Sequence, residues 1–270
     1  MNSETIEKRK SVRTYNHEEV PAEVMNQLRD FLDHDENPFG VSIQYYFLDG
    51  KKDGVSSPVI VGTDTYVAGK YKRQKNGDAA FGYSLEKFIL YATSLGLGTV
   101  WLAGTIDRKA FKEAIHAADD EVMPAVTPLG YAASRRSLRD STMRKGLKSD
   151  SRLPFSSIFF CSSFDNPLEE EDAGVWKLPL EMVRLAPSAT NKQPWRVVVD
   201  GSDVHFYEKK AKGYANDSFD VQKVDLGIAM CHFDIGASQS SLKGKWIQKD
   251  PGISTAEDTE YIATFVREDQ

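Results

Sequence analysis

Residues 88–106, from Phe88 to Ile106, carry no charged side chain. An uncharged run of this length ends either in a bilayer or in a protein core. Gly96, Gly98 and Gly104 interrupt it, together with Thr93, Ser94, Thr99 and Thr105. That punctuation predicts a buried helix, a glycine turn and a buried strand instead of a membrane span. Leu85, Phe88, Ile89, Ala92 and Leu95 form the helix face, Gly96 ends it, and Thr99 to Ala103 form the strand. With 34 basic and 40 acidic residues the chain carries a net charge of −6, which argues against a surface built for a polyanion. Its 40% hydrophobic and 27% charged residues are ordinary for a folded protein. Met1 to Arg13 is charged and lacks the apolar core of a secretory signal. Cys161 and Cys231 cannot make a disulfide framework. The expectation is a cytoplasmic protein with both thiols reduced.

Around this segment the pattern predicts a short basic helix over 4–12 and a helix starting at Pro21, with Val24, Leu28, Phe31 and Leu32 on its apolar face. Strands are expected over 41–47, 58–62 and 126–131, and a helix over 108–117. Further on come a charge run at Glu169 to Asp172, a helix over 178–185, and strands 195–200 and 204–208 joined at Gly201 and Ser202. A helix over 224–238, then strands 244–247 and 261–267, close the chain.

The two halves resemble each other. An offset of 145 places Gly82 on Gly227, Phe88 on Phe233, Leu97 on Leu242 and Trp101 on Trp246 without gaps. An offset of 156 places Pro38 and Phe39 on Pro194 and Trp195. Two amphipathic helices can match this well by coincidence, but the shared element order supports duplication. The expected units are residues 1–148 and 149–270, intertwined as one body. Each copy lacks something: Gly96-Leu97-Gly98 becomes Ser241-Leu242-Lys243, and Asn191 to Trp195 shrinks to Asn37-Pro38-Phe39.

The sequence has no G-x-G-x-x-G after a strand, no P-loop, no H-E-x-x-H and no G-x-S-x-G elbow. A metal site and a catalytic triad are therefore not expected. Four other segments stand out. Arg9-Lys10-Ser11-Val12-Arg13 offers guanidinium forks and a hydroxyl, the donors a phosphate takes, or is a plain basic helix end. Leu95 to Trp101 lets a flat ligand approach backbone N–H groups, or is a glycine helix cap. Pro128 to Arg136 leads a strand into Arg135 and Arg136, a second phosphate clamp or a solvated basic face. Ala186-Pro187-Ser188-Ala189-Thr190-Asn191-Lys192-Gln193-Pro194-Trp195 brings amides that match the edge of a heteroaromatic ring, or is an ordinary capped loop.

Taken together, these segments resemble the FMN-dependent nitroreductase family over nearly the whole chain. The order departs from the usual one, because the A-P-S-x-x-N-x-Q-P-W loop follows the glycine turn instead of preceding it. That order is similar to the TM-nitroreductase subgroup, in which two nitroreductase-like halves share one chain. The resemblance implies an α+β fold of three layers, α/β/α, with a mostly antiparallel central sheet and an internal pseudo-dimer. It implies one FMN held between the halves, with Arg9, Lys10, Ser11 and Arg135 or Arg136 at the phosphate and Arg13 at the phosphate or the N1/O2 side. Pro187, Ser188, Ala189 and Asn191 would line the ring, with the backbone of Leu97 and Gly98 near N5 and Thr99 among the cofactor-binding residues. Ala132 stands where the family has proline, so the phosphate-binding arginine of that segment stays open among Arg135, Arg136 and Arg139.

The implied reaction is ping-pong. NAD(P)H passes a hydride to flavin N5, and a nitroaromatic, quinone or similar electrophile takes it in turn. No protein acid or base is required. The implied partners are a small-molecule electron acceptor, with no nucleic acid and no membrane. The chain would act as a monomeric pseudo-dimer, with further self-association left open. Two alternatives stand beside this reading. One is an FMN-binding carrier or sensor without turnover. The other is an anion- or nucleic-acid-binding protein using residues 135–152, which bring little aromatic stacking surface.

Overall fold

Two long helices, Gly77–Ser94 (α3) and Val221–Gln239 (α6), cross at the centre of the molecule. Each belongs to one half of the chain and packs against strands of its own half. The computed structural model describes residues 1–134 and 151–268. The remaining elements of the first half are α1 (Ser3–Lys8), α2 (Ala22–Asp33), β1 (Gln44–Asp49), β2 (Thr65–Lys72), α4 (Arg108–Ala114), β3 (Glu121–Val122) and β4 (Val126–Pro128). Those of the second half are β5 (Phe159–Cys161), α5 (Lys177–Leu185), β6 (Trp195–Asp200), β7 (Asp203–Lys209), β8 (Gly244–Ile247) and β9 (Thr259–Arg267).

The fold is α+β with mostly antiparallel strands, divided over two sheets. In the first sheet β2 pairs with β1, β3 and β4, all antiparallel. The second runs β5-β6-β7-β9-β8, and only β5–β6 is parallel. The hairpin β6–β7 turns through Gly201, whose φ of 59° suits glycine, and Ser202. One apolar core runs through both halves, joining Phe81, Phe88 and Leu129 to Trp195, Phe206 and Phe233. A smaller cluster, with Tyr66 stacked edge-on against Phe111, lies under the first sheet.

The helix crossing follows the 145-residue repeat. A Cβ on Gly82 would lie 2.0 Å from the Val224 carbonyl oxygen, and one on Gly227 would lie 1.9 Å from that of Ala79. Val224 and Ala79 are themselves 145 residues apart, so the contact is reciprocal, as across a two-fold axis. The helix ends repeat as well. Leu97 N–H donates to Ala92 O and Leu242 N–H to Ala237 O, with Gly96 (φ 80°) and Ser241 (φ 57°) in the left-handed conformation that closes such caps.

Several expected elements differ. The helix expected over 4–12 stops at Lys8, because Ser11 pairs in parallel with Thr99 and Val12 N–H donates to Thr99 O. The strand expected over 58–62 is a turn, with Ile60 N–H bonded to Ser57 O. The sheet is instead centred on β2, which the sequence concealed. Its Lys70 is buried, reaching Glu121 at 2.7 Å and the His116 carbonyl at 2.9 Å, so no polar alternation is visible. Thr99 to Ala103 is extended but pairs only at Thr99 and Leu102. The short parallel β5 was not expected at all.

Candidate functional site

A cleft of about 570 Å3 opens between the halves. It joins the two segments that lie farthest apart in the sequence motifs. Arg9, Lys10, Ser11 and Arg13 from the first segment and Pro187, Ser188, Ala189 and Asn191 from the second all line it. The first group reaches the cleft because residues 9–13 leave the helix and run extended beside Thr99. Tyr15, buried below them, donates its hydroxyl to Val12 O at 2.8 Å and holds that path.

The loop 186–194 is held in an unusual shape. Thr190, Asn191 and Gln193 all have positive φ, at 47°, 58° and 50°. Non-glycine residues seldom adopt this region unless their surroundings impose it. Here they do. Gln193 N–H donates to Ser188 Oγ at 2.8 Å, the buried Gln193 side chain accepts from Leu153 N–H at 2.9 Å, and Asn191 Nδ2 donates to Ser151 O at 3.0 Å. Ala189 N–H points at both carboxyl oxygens of Asp225, at 3.0 and 3.1 Å. Asp225 comes from the first turns of α6 and is almost wholly buried. Burial raises its carboxyl well above the usual carboxylate range; Ala189 N–H opposes that shift, and the charges of Asp220 and Glu208 add to it.

Leu97, Gly98 and Thr99 do not line the cleft, contrary to expectation. Their backbone groups are already used: Leu97 N–H donates to Ala92 O, Gly98 N–H to Gly130 O, and Thr99 O accepts from Val12. A Cβ on Gly98 would meet the Val12 side chain at 2.9 Å, so this glycine allows Val12 to pack close. The wall is formed one step further on, by Val100 to Thr105. Arg135 and Arg136 lie outside the described residues, as does Arg139. Arg152 does line the cleft, donating from Nη2 to Leu185 O at 3.0 Å.

Asp225 and Trp101 were missed as site residues. Asp225 had a signal, a carboxylate inside the otherwise apolar run from Val224 to Cys231. Glu86 in α3 carries no such signal, because Lys87 follows it directly and the pair reads as a solvated helix face. Among the described residues no group of His, Cys, Asp and Glu could hold a metal, and no helix is long and apolar enough to cross a membrane.

An α+β chain of two linked halves, with a cleft lined by cationic residues of the first and by a polar loop of the second, defines a small-ligand site shared between halves. Comparison with known proteins gives it a family. The model described as "Putative TM nitroreductase" matches residues 2–237. The chain belongs to this nitroreductase family, and so to the oxidoreductases. The crystal structure of a putative nitroreductase from Thermotoga maritima superposes with a TM-score of 0.65 at 21% identity, covering 98% of this chain and 94% of that one. A nitroreductase with bound FMN from Bacteroides fragilis matches with a TM-score of 0.41 at 20% identity, over 50% of this chain and 90% of that one. An FMN-dependent nitroreductase from Clostridium difficile gives a TM-score of 0.41 at 16% identity, over 50% and 92%. No curated protein matches the sequence.

Proposed function

We propose that the chain is an FMN-dependent NAD(P)H oxidoreductase with one flavin site between its halves. The observation that carries this reading is the cleft itself, which gathers the basic run and the A-P-S loop from opposite halves. The donor set suits FMN. Two guanidinium groups, an ammonium and a hydroxyl (Arg9, Arg13, Lys10 and Ser11) match a phosphate or an anionic ring edge. Val100, Leu102, Pro187 and Ile228 supply apolar surface for a flat ring, and the volume lies within the usual range for ligand sites.

When bound, FMN supplies hydride transfer between a nicotinamide and an electrophile such as a nitroaromatic or a quinone. The chain binds and orients. Arg9, Lys10 and Ser11 hold the phosphate, and Arg13 reaches it or the pyrimidine edge. Asp225 fixes the ring loop through Ala189 N–H. The halves, residues 1–148 and 149–270, act as an internal pseudo-dimer. The mirror-image site does not bind flavin. Asn37, in the shortened copy of the loop, turns its amide onto Val41 O at 2.8 Å and Ser84 Oγ at 3.4 Å. We assign the activity to the cytoplasm and to small-molecule acceptors.

The test is anaerobic titration of FMN-loaded protein. Bleaching of the flavin band by NADH or NADPH, then recovery with a nitroaromatic, supports the reading. FMN-loaded protein that neither nicotinamide reduces is a flavin carrier. Protein that takes up no FMN refutes both.

A further inference from the structure

Asp225 lines the cleft, yet the residue is only 2% exposed. Among the described residues its one hydrogen-bond donor is Ala189 N–H, shared between both carboxyl oxygens at 3.0 and 3.1 Å. A carboxylate has room for about four donors, so this one is poorly supplied. The charges that act on it are of its own sign, from Asp220 and from Glu208. Glu208 is wholly buried, and neither of its oxygens meets a donor. Lys223, two residues before Asp225 in α6, is bonded to Glu260 at 2.8 Å.

Burial, a single donor and two acidic neighbours all favour the uncharged carboxyl. Asp225 therefore meets the cleft as a carboxylic acid with a proton to give. The reaction proposed above needs such a proton. A quinone becomes a hydroquinone by taking a hydride and a proton. A nitro group becomes a nitroso group and water by the same uptake. The hydride comes with the reaction already proposed; the proton has had no source.

We propose that Asp225 is a catalytic acid that gives this proton to the oxygen of a quinone or nitroaromatic acceptor in the cleft. The O–H bond of Asp225 breaks, an O–H bond forms on the acceptor, and the electron pair stays on the carboxyl. The carboxylate left behind is buried beside Asp220 and Glu208, which is costly, so it regains a proton from water in the emptied cleft. The inference rests on the FMN reading and narrows its acceptors to molecules reduced at oxygen.

The experiment compares the wild type with Asp225→Asn in two measurements. The first is infrared spectroscopy of the flavin-free proteins at pH 7. The wild type is expected to show the carbonyl band of a protonated carboxyl that Asp225→Asn lacks; identical acid bands overturn the proposal. The second is stopped-flow reoxidation of the reduced, FMN-loaded proteins by benzoquinone and by ferricyanide, which takes electrons but no proton. The ratio of the benzoquinone rate to the ferricyanide rate should fall about a hundredfold in Asp225→Asn, the low end for a general acid. A purely structural role slows both acceptors alike, so an unchanged ratio overturns the proposal. Should Asp225→Asn not fold, wild-type protein labelled with carbon-13 at its aspartate carboxyls decides: a labelled acid band at pH 7 supports the proposal, and its absence overturns it. Wild-type protein that takes up no FMN removes the FMN reading and this inference with it. FMN-loaded protein that a nicotinamide reduces, with the ratio unchanged in Asp225→Asn, removes only the inference.

Discussion

Gly227→Ala should destabilise the protein by about 2 kcal/mol, although alanine is the better helix former. The added methyl would lie 1.9 Å from Ala79 O and 2.6 Å from Tyr83 N, both backbone atoms that cannot rotate away. Ordinary contact begins near 3.4 Å, so α3 and α6 must separate by about 1.5 Å at this point. Core overpacking costs roughly 1–3 kcal/mol, and this contact falls at about 3 kcal/mol because the methyl meets backbone and parting the helices forfeits dispersion contacts along both of them. Against this, alanine gains about 1 kcal/mol over glycine in a helix interior. The net loss of about 2 kcal/mol corresponds to a fall in Tm of roughly 4–8 °C for a chain of this size. Urea unfolding at constant m and scanning calorimetry measure it. Gly82→Ala should behave alike, because its methyl would meet Val224 O at 2.0 Å. A Gly227→Ala protein that is more stable by the helix-propensity gain would refute the close crossing. A large difference between the two variants would refute its reciprocity.

Three further outcomes are expected. Arg13→Ala should weaken FMN binding roughly ten- to a hundredfold, the range for a charge-assisted contact, with a smaller loss at high salt; fluorescence titration at two ionic strengths checks this. Asp225→Ala should weaken flavin binding by leaving Ala189 N–H without its acceptor, whereas Asp225→Asn, which keeps an oxygen there, should largely retain it; equal Kd values for the two would discount the loop anchor. Glu208, buried on β7, is pushed up to about 8 by loss of hydration, with the charge of Asp220 adding to the effect. A raised folded-state value means that unfolding releases this proton. Its stabilising protonated form is fully present below the unfolded value near 4.5 and is lost as pH rises towards 8, at no more than about 1.4 kcal/mol per pH unit. Urea midpoints at pH 5 and 8 should therefore fall less in Glu208→Gln than in the wild type, and identical falls would contradict the assignment.

Local pattern was enough for the elements that rest on near neighbours. The helix before Gly96, the hairpin at Gly201, α2, α4, and the strands at Gly244 and Tyr261 follow from residues two to four positions apart. The basic run and the A-P-S loop stand out for the same reason, as dense clusters of guanidinium, hydroxyl and amide groups. The reciprocal Gly82–Gly227 match was also visible, because a close helix crossing needs glycine at both contacts.

Only the tertiary structure decided which of these segments meet. Arg9 and Ala189 face one cleft although nearly two-thirds of the chain separates them, and nothing local to either specifies the other. The glycine turn shows the converse. Leu97, Gly98 and Thr99 have the composition of a ligand loop, yet Val12, Ala92 and Gly130 consume their backbone groups first. Buried charge was least legible. Lys70 and Glu86 look in sequence like solvated residues; they become a strand interior and a link between halves, and Asp225 a loop anchor, only because the fold brings Glu121, His232 and Ala189 to them. A charge can leave water only when a partner waits for it, and that partner is set by long-range packing, which periodicity does not encode.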